Sequence, residues 1–181
     1  VSATNRGAVR RPSDLYETPV STIQNIVAEI QWPLVHTALE PCAASGRIPR
    51  ECPGRSIVWT TCEISEGTDY LKAPGPAKSY DLCLTNPPYS LAMEFILKAL
   101  REAVTVIMLL RLNFLGSQTR LAFWQENPVT HLFPLARRPS FTGHGTDATD
   151  YAWFAWDRNC ILQRPRGIHV LSGKTLKEPI L

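Results

Sequence analysis

Tyr80-Asp81-Leu82-Cys83-Leu84-Thr85-Asn86-Pro87-Pro88-Tyr89 runs an apolar, strand-forming stretch directly into a rigid polar loop. Two successive prolines cannot donate to a sheet ladder and fix their own φ, so the strand must stop at Asn86. The loop gathers a carboxamide, carbonyls that no neighbouring strand uses and an aromatic ring at a strand's C-terminal edge, where open α/β sheets place their ligands. These groups suit a flat ring that carries an amino group. Asn-Pro and Pro-Pro are also ordinary turn punctuation, so the tetrapeptide acquires meaning only with company elsewhere in the chain.

Around this stretch, strands and helices alternate. Pro19 to Gln31 carries apolar residues at Val20, Ile23, Ile26, Val27 and Ile30, a helical stripe with Pro19 suited to the first turn. Leu34 to Leu39 and Ser56 to Cys62 are short β-rich runs, and Leu91 to Glu102 has helical spacing with Ser90 as its expected N-cap. Val104 to Leu110 is continuously apolar, as central parallel strands are. Gln118 to Gln125 reads as helix, Thr130 to Leu135 and Tyr151 to Trp156 as strands, the rings of the last being core rather than platform. The pattern predicts a single α/β domain: a mostly parallel, doubly wound sheet with helices on both faces. Pro49 and Pro53 keep any crossover helix after the first strand short, and Lys72 to Lys78 is a loop.

Composition sets outer limits. The 181 residues, 44% hydrophobic and 19% charged, suit one globular domain with a substantial core. No apolar run approaches bilayer length, and Val1 to Asp14 is polar and basic without the pattern of a signal peptide, which places the chain in a cytosol and away from membranes. Cys42, Cys52, Cys62, Cys83 and Cys160 form no CxxC pair and are odd in number, indicating neither a metal site nor a complete disulfide framework. Net charge is only +3, but arginines cluster at Arg10-Arg11, at Arg47, Arg50 and Arg55, at Arg137-Arg138 and at Arg164 with Arg166, where they could meet phosphates or simply solvent. His36 and His131 lie within strand-like runs and read as structural, and His144 as a solvent-facing loop residue.

A second constellation is Glu40-Pro41-Cys42-Ala43-Ala44-Ser45-Gly46-Arg47, which leaves a strand with a carboxylate and turns through small residues that let backbone approach a cofactor closely. A further β-run ends in Cys62-Glu63-Ile64, placing an acid where nucleotide-binding sheets hold ribose hydroxyls. Gly67-Thr68-Asp69-Tyr70-Leu71 then offers another carboxylate beside an aromatic ring.

In this order, Glu40 to Ile48, Glu63, Gly67 to Leu71 and Asp81 to Tyr89 resemble the successive motifs of S-adenosylmethionine-dependent N6-adenine DNA methyltransferases. Leu15-Tyr16-Glu17-Thr18-Pro19 ahead of a helix resembles the family's cofactor-clasping element, in the gamma-type motif order. The resemblance covers Tyr16 to about Asp157 and implies a Rossmann-like methyltransferase domain over 15–166, between a polar arm, 1–14, and a C-terminal strand or tail, 167–181. It implies that Tyr16, Thr18 and Pro19 contact the methionine end of S-adenosylmethionine, that Glu40, Pro41, Ala43 and Gly46 line the methionine and ribose, that Glu63 takes the ribose diol, that Ile64 also contacts the cofactor, and that Asp69 and Tyr70 hold adenine. Asn86 would border both cofactor and target, and S-adenosylhomocysteine would be the product, with no metal involved. Ala44 stands where members commonly carry glycine, a departure compatible with binding provided its φ is negative.

The same resemblance gives the loop its chemistry. An adenine amino nitrogen is a poor nucleophile because its lone pair is delocalised into the ring; if the Asn86 carboxamide oxygen and the Pro87 carbonyl accept its two hydrogens, the lone pair localises. Pro87 and Pro88 hold the geometry, while Tyr89, and Phe141 from Arg137-Arg138-Pro139-Ser140-Phe141-Thr142-Gly143, would stack a base flipped out of DNA. Only 25 residues follow Trp156, too few for a separate target-recognition domain, so specificity comes from loops or a partner subunit, or scarcely exists; a homo-oligomer or a specificity partner is an open alternative. Compact enzymes of this pattern resemble those carried by phages or mobile elements, which would work in a bacterial or phage-infected host cytosol. Alternatives stay open: an amino or amide nitrogen of RNA or of protein glutamine, or a non-catalytic relic that binds cofactor or nucleic acid.

Overall fold

The computed structural model describes residues 17–54, 56–75, 79–141 and 148–172. Tyr16, Arg10, Arg11, Arg55 and the 142–147 stretch with His144 lie outside the described residues.

One seven-stranded sheet organises the chain. Its strands are β1 (Thr37–Glu40), β2 (Val58–Thr61), β3 (Tyr80–Thr85), β4 (Ala103–Arg111), β5 (His131–Pro134), β6 (Tyr151–Asp157) and β7 (Gly167–Ile168), in spatial order β2-β1-β3-β4-β6-β5-β7. All neighbours run parallel except at β6, which is antiparallel to both β4 and β5. Because β2 lies on one side of β1 and β3 on the other, strand order reverses between β1 and β3, which makes their C-terminal ends the switch point where such sheets bind ligands.

Period-two alternation distributes the core into two layers. Leu82, Leu84, Ile107, Leu109, Trp153 and Ala155 face one side, packed under α1 (Val20–Val27) and the short α2 (Arg47–Glu51). Cys83, Val106, Met108, Leu110, Phe154 and Trp156 face the other, under α3 (Ala92–Glu102) and α4 (Leu121–Glu126). Every residue of β6 is buried, which is why its six apolar positions show no polar alternation.

Helix ends depart from the sequence reading. α1 begins after Pro19, whose carbonyl accepts from the Thr22 and Ile23 amides, but it stops at Val27 rather than Gln31. The Gln31 amide donates to the Ile161 carbonyl at 2.7 Å and Ile30 bridges to Leu162, so tertiary bonds replace the last helical turn. Ser90 does not cap α3. It lies in a 3-10 turn, Tyr89–Leu91, and the cap position is Leu91, without a side-chain cap bond.

The chain leaves β6 through a buried carboxylate. Asp157, 2% exposed, accepts from the Thr105 hydroxyl at 2.9 Å and from the amides of Ile161 and Leu162 at 3.1 and 3.0 Å. Removing an acceptor that satisfies three buried donors costs more than a single surface bond. Asp157→Ala is expected to lower unfolding free energy by about 2–4 kcal/mol in denaturant titration.

Candidate active site at the β1–β3 switch point

Glu40 is the last residue of β1 and is 2% exposed, with Oε2 lacking any hydrogen-bond partner. Burial, reinforced by the nearby Glu63 carboxylate and only partly offset by Arg50, pushes its carboxyl up to about 9. A buried polar atom without a partner is exceptional in folded proteins and marks a position that a ligand can satisfy.

After Glu40 the chain turns back on the end of β2. The Cys62 amide donates to the Glu40 carbonyl and the Ala43 amide to the Cys62 carbonyl, both at 3.0 Å. Glu63, 7% exposed, receives the Ala44 amide on Oε2 at 2.7 Å and the Ser65 amide and hydroxyl on Oε1 at 3.2 Å. Each of its oxygens thus carries a protein bond, and a carboxylate oxygen has a second lone pair for a hydroxyl. Gly46 takes φ +71° at the start of α2, a left-handed conformation that glycine adopts without penalty.

Ala44 reverses the expectation set for it. Its φ is +48°, so the methyl sits in the left-handed region that costs an L residue about 1–2 kcal/mol, and the Glu63 carboxylate on its amide holds it there.

The outer wall is the chain before α1. Arg47 reaches back to the Thr18 carbonyl at 3.0 Å and ion-pairs with Glu17. Thr18 is 6% exposed, and Pro19, beside it, opens α1. Thr18, Glu40, Ala43, Ala44, Arg47 and Asn86 share a cleft of only about 20 Å³, room for about one water. Admitting a cofactor requires Glu17 and Thr18 to part from the Ala43–Arg47 turn. The chemistry of the walls fits S-adenosylmethionine: a carboxyl without a partner for a cationic amino group, a second acid at the end of the neighbouring strand, and small residues between them.

The other candidate residues are placed as follows. Pro41 is buried, and Ile64 is 66% exposed beyond Glu63. Asp69 is paired with Lys72 at 3.0 Å and also accepts from the Leu71 amide, contacts that hold its carboxyl below the ordinary value. Tyr70 is 4% exposed; its ring packs on Phe95 at 5.2 Å and lies under the Lys98 ammonium at 5.0 Å, as part of the core layer.

Asn86 and Pro87 follow β3 directly, and the Leu91 amide closes on the Pro88 carbonyl at 2.9 Å. Tyr89 borders a second cavity of about 350 Å³, shared with Arg111, Asn113, Phe114, Ser117 and Arg120. The Arg111 guanidinium lies over the Tyr89 ring at 5.0 Å, and Tyr151 packs against Tyr89 with centroids 5.6 Å apart. Phe141 meets the same Tyr151 edge-on at 5.3 Å, so Tyr89 and Phe141 belong to one aromatic group linked through Tyr151. Arg111 and Arg120 were not singled out in the sequence; the available signal was Arg111 at the very end of the apolar Val104–Leu110 run, at the ligand-binding edge.

No protein-family model matches the chain, and no curated protein does. Solved structures do resemble it. A putative class I S-adenosylmethionine-dependent methyltransferase from Listeria monocytogenes superposes with TM-score 0.56 at 11% identity, over 84% of this chain and 64% of that one. The 23S rRNA methyltransferase ErmE gives 0.54 at 18%, over 79% and 68%, and a modification subunit of a putative type I restriction enzyme from Vibrio vulnificus gives 0.53 at 15%, over 79% and 44%. At these identities the likeness establishes a Rossmann-like methyltransferase fold, and the chain spans less than half the length of the Vibrio protein.

Two measurements probe the site's energetics. Ala44→Gly is expected to raise stability by up to about 1 kcal/mol, relief of backbone strain outweighing the added freedom of the unfolded chain. Glu40 keeps its proton in the folded state to about pH 9 but loses it near the ordinary 4.5 when unfolded, so its contribution to stability falls as pH rises between those values. The melting temperature of Glu40→Gln should therefore gain on that of the parent chain steadily from pH 5 to pH 9.

Proposed function

We propose that this protein is an S-adenosylmethionine-dependent methyltransferase acting on the N6 amino group of adenine in DNA, with the base flipped into a pocket at Asn86-Pro87-Pro88-Tyr89. The observation that carries the reading is the position of this loop between two cavities. Asn86 borders the cleft containing the unsatisfied Glu40 carboxyl, and Tyr89, three residues on, borders the larger cavity.

S-adenosylmethionine, when bound, supplies an electrophilic methyl group on a sulfonium. Glu40 takes its amino group, an encounter that draws the proton off the buried carboxyl, and Glu63 takes a ribose hydroxyl while keeping its grip on the Ala44 amide. Thr18, Pro19, Pro41, Ala43 and Gly46 line the same end, and Ile64 and Asp69 the adenine end. Asn86 and the Pro87 carbonyl accept the two hydrogens of the target amino group, which localises its lone pair for in-line attack. After attack the nitrogen sheds one proton to solvent. The work is positioning and preorganised dipoles, and no strongly basic side chain is required.

Tyr89 and Phe141 would flank the extruded base, which requires Arg111 to give up the Tyr89 face that it covers. Among the described residues no group of His, Cys, Asp and Glu is arranged to hold a metal ion, and no helix is long and apolar enough to cross a membrane.

The test uses labelled methyl donor with mixed-sequence DNA, and RNA and protein in parallel, followed by digestion and chromatography. N6-methyldeoxyadenosine is the expected product; label in RNA or protein instead would overturn the substrate assignment. Asn86→Ala is expected to keep cofactor affinity, measured by calorimetry, and to lose about 100- to 1,000-fold in rate.

A further inference from the structure

The cavity beside Tyr89 has a property that base stacking does not explain. Its lining includes two guanidinium groups, Arg111 and Arg120, and among the described residues no carboxylate. At about 350 Å³ it is large enough for a ligand group, and its charge selects an anion.

Arg120 is the better defined of the two. Its Nε donates to the Phe114 carbonyl at 2.8 Å, its Nη2 reaches the Asn113 carbonyl at 3.4 Å, and its guanidinium lies 4.4 Å from the centre of the Phe114 ring. Carbonyls and a ring orient a cation without cancelling its charge. Among the described residues no carboxylate lies within ion-pair reach of Arg120, whereas Arg47, Arg138 and Arg164 are paired with Glu17, Asp150 and Glu29. A guanidinium held this way has lost its side-chain entropy before a ligand arrives, and its planar fork matches two oxygens of a phosphate. The turn that carries it also presents the Ser117 and Thr119 hydroxyls, 2.7 Å apart, and no atom lies within 4 Å of where a Cβ on Gly116 would stand, so backbone there is open to an approaching strand.

We infer that this cavity is a phosphodiester subsite in which Arg120, aided by Arg111, holds the DNA backbone beside the nucleotide whose base meets Tyr89. The inference rests on the DNA reading of the function. Phosphate contacts set position without reading sequence, so this subsite would fix where the flipped nucleotide lies relative to Asn86.

The test is fluorescence anisotropy of a labelled single-stranded adenine-containing oligodeoxynucleotide over a range of salt concentrations, for the parent chain, Arg120→Gln and Arg120→Lys. Arg120→Gln should weaken binding about tenfold and reduce the slope of log affinity against log salt by about 1, with S-adenosylmethionine affinity unchanged. Arg120→Lys should restore most of the salt slope and only part of the affinity. With the parent chain alone, replacing single phosphates by neutral methylphosphonates should weaken binding at one or two positions flanking the adenine, which tests the subsite even if Arg120→Gln does not fold. DNA methylation by the parent chain, with affinity and slope unaltered in Arg120→Gln and no sensitive phosphate, would overturn the subsite and leave the enzymatic reading standing. Salt-sensitive binding that depends on Arg120, without methylation of DNA, would support the subsite and overturn the enzymatic reading.

Discussion

A carboxylate at the foot of the sheet sets the register on which the site depends. Asp81 Oδ2 accepts from the amides of His36 and Thr37 at 2.8 and 2.9 Å and from the Thr37 hydroxyl at 3.2 Å, tying the start of β3 to the start of β1. In that register Ala38 faces Leu82 and Leu39 faces Cys83, and both strands end at the same edge, β1 in Glu40 and β3 in Thr85, just before Asn86. A slip by one residue would turn Leu82 and Leu84 away from α1 and exchange the layers, so core packing and site assembly enforce the same alignment.

Above this clamp the switch point carries unfavourable features that the surrounding fold sustains. Glu40 is buried with an unsatisfied oxygen, and Ala44 is held at positive φ by the neighbouring acid. Such features destabilise unless rigid neighbours over-determine them, and here residues 82–85 of β3 and 105–110 of β4 are buried between two helical layers. The proline loop then divides the edge into two chemical environments. One is tight and holds the unpartnered Glu40 carboxyl, and the other is roomy and lined by Arg111 and Arg120.

Arginine shows how far charge can be read without coordinates. The clusters visible along the chain include Arg47, Arg138 and Arg164, and all three proved to be paired with carboxylates brought from at least 12 positions away. Arg120, isolated in sequence, is held by carbonyls over an aromatic ring. Tyr70 behaves similarly: adjacent to an acid in sequence, its ring is claimed by Phe95 and Lys98 of α3.

Strand positions, the alternation of strands and helices, and the stop at Asn86 were all legible in the residues, because apolar runs, proline chemistry and periodicity act locally. β3 appears at Tyr80–Thr85, as its composition dictates, and the fold class follows from the alternation. What tertiary structure alone decided is where local preference met a competing long-range partner. α1 surrendered its last turn to the 161–162 segment, β6 took an antiparallel place between β4 and β5, and Ala44 was forced to positive φ by an acid from another strand. In each case a hydrogen bond or a pairing from a distant part of the chain outweighed a local preference of at most about 2 kcal/mol per residue, and no local sequence pattern records which distant group will supply it.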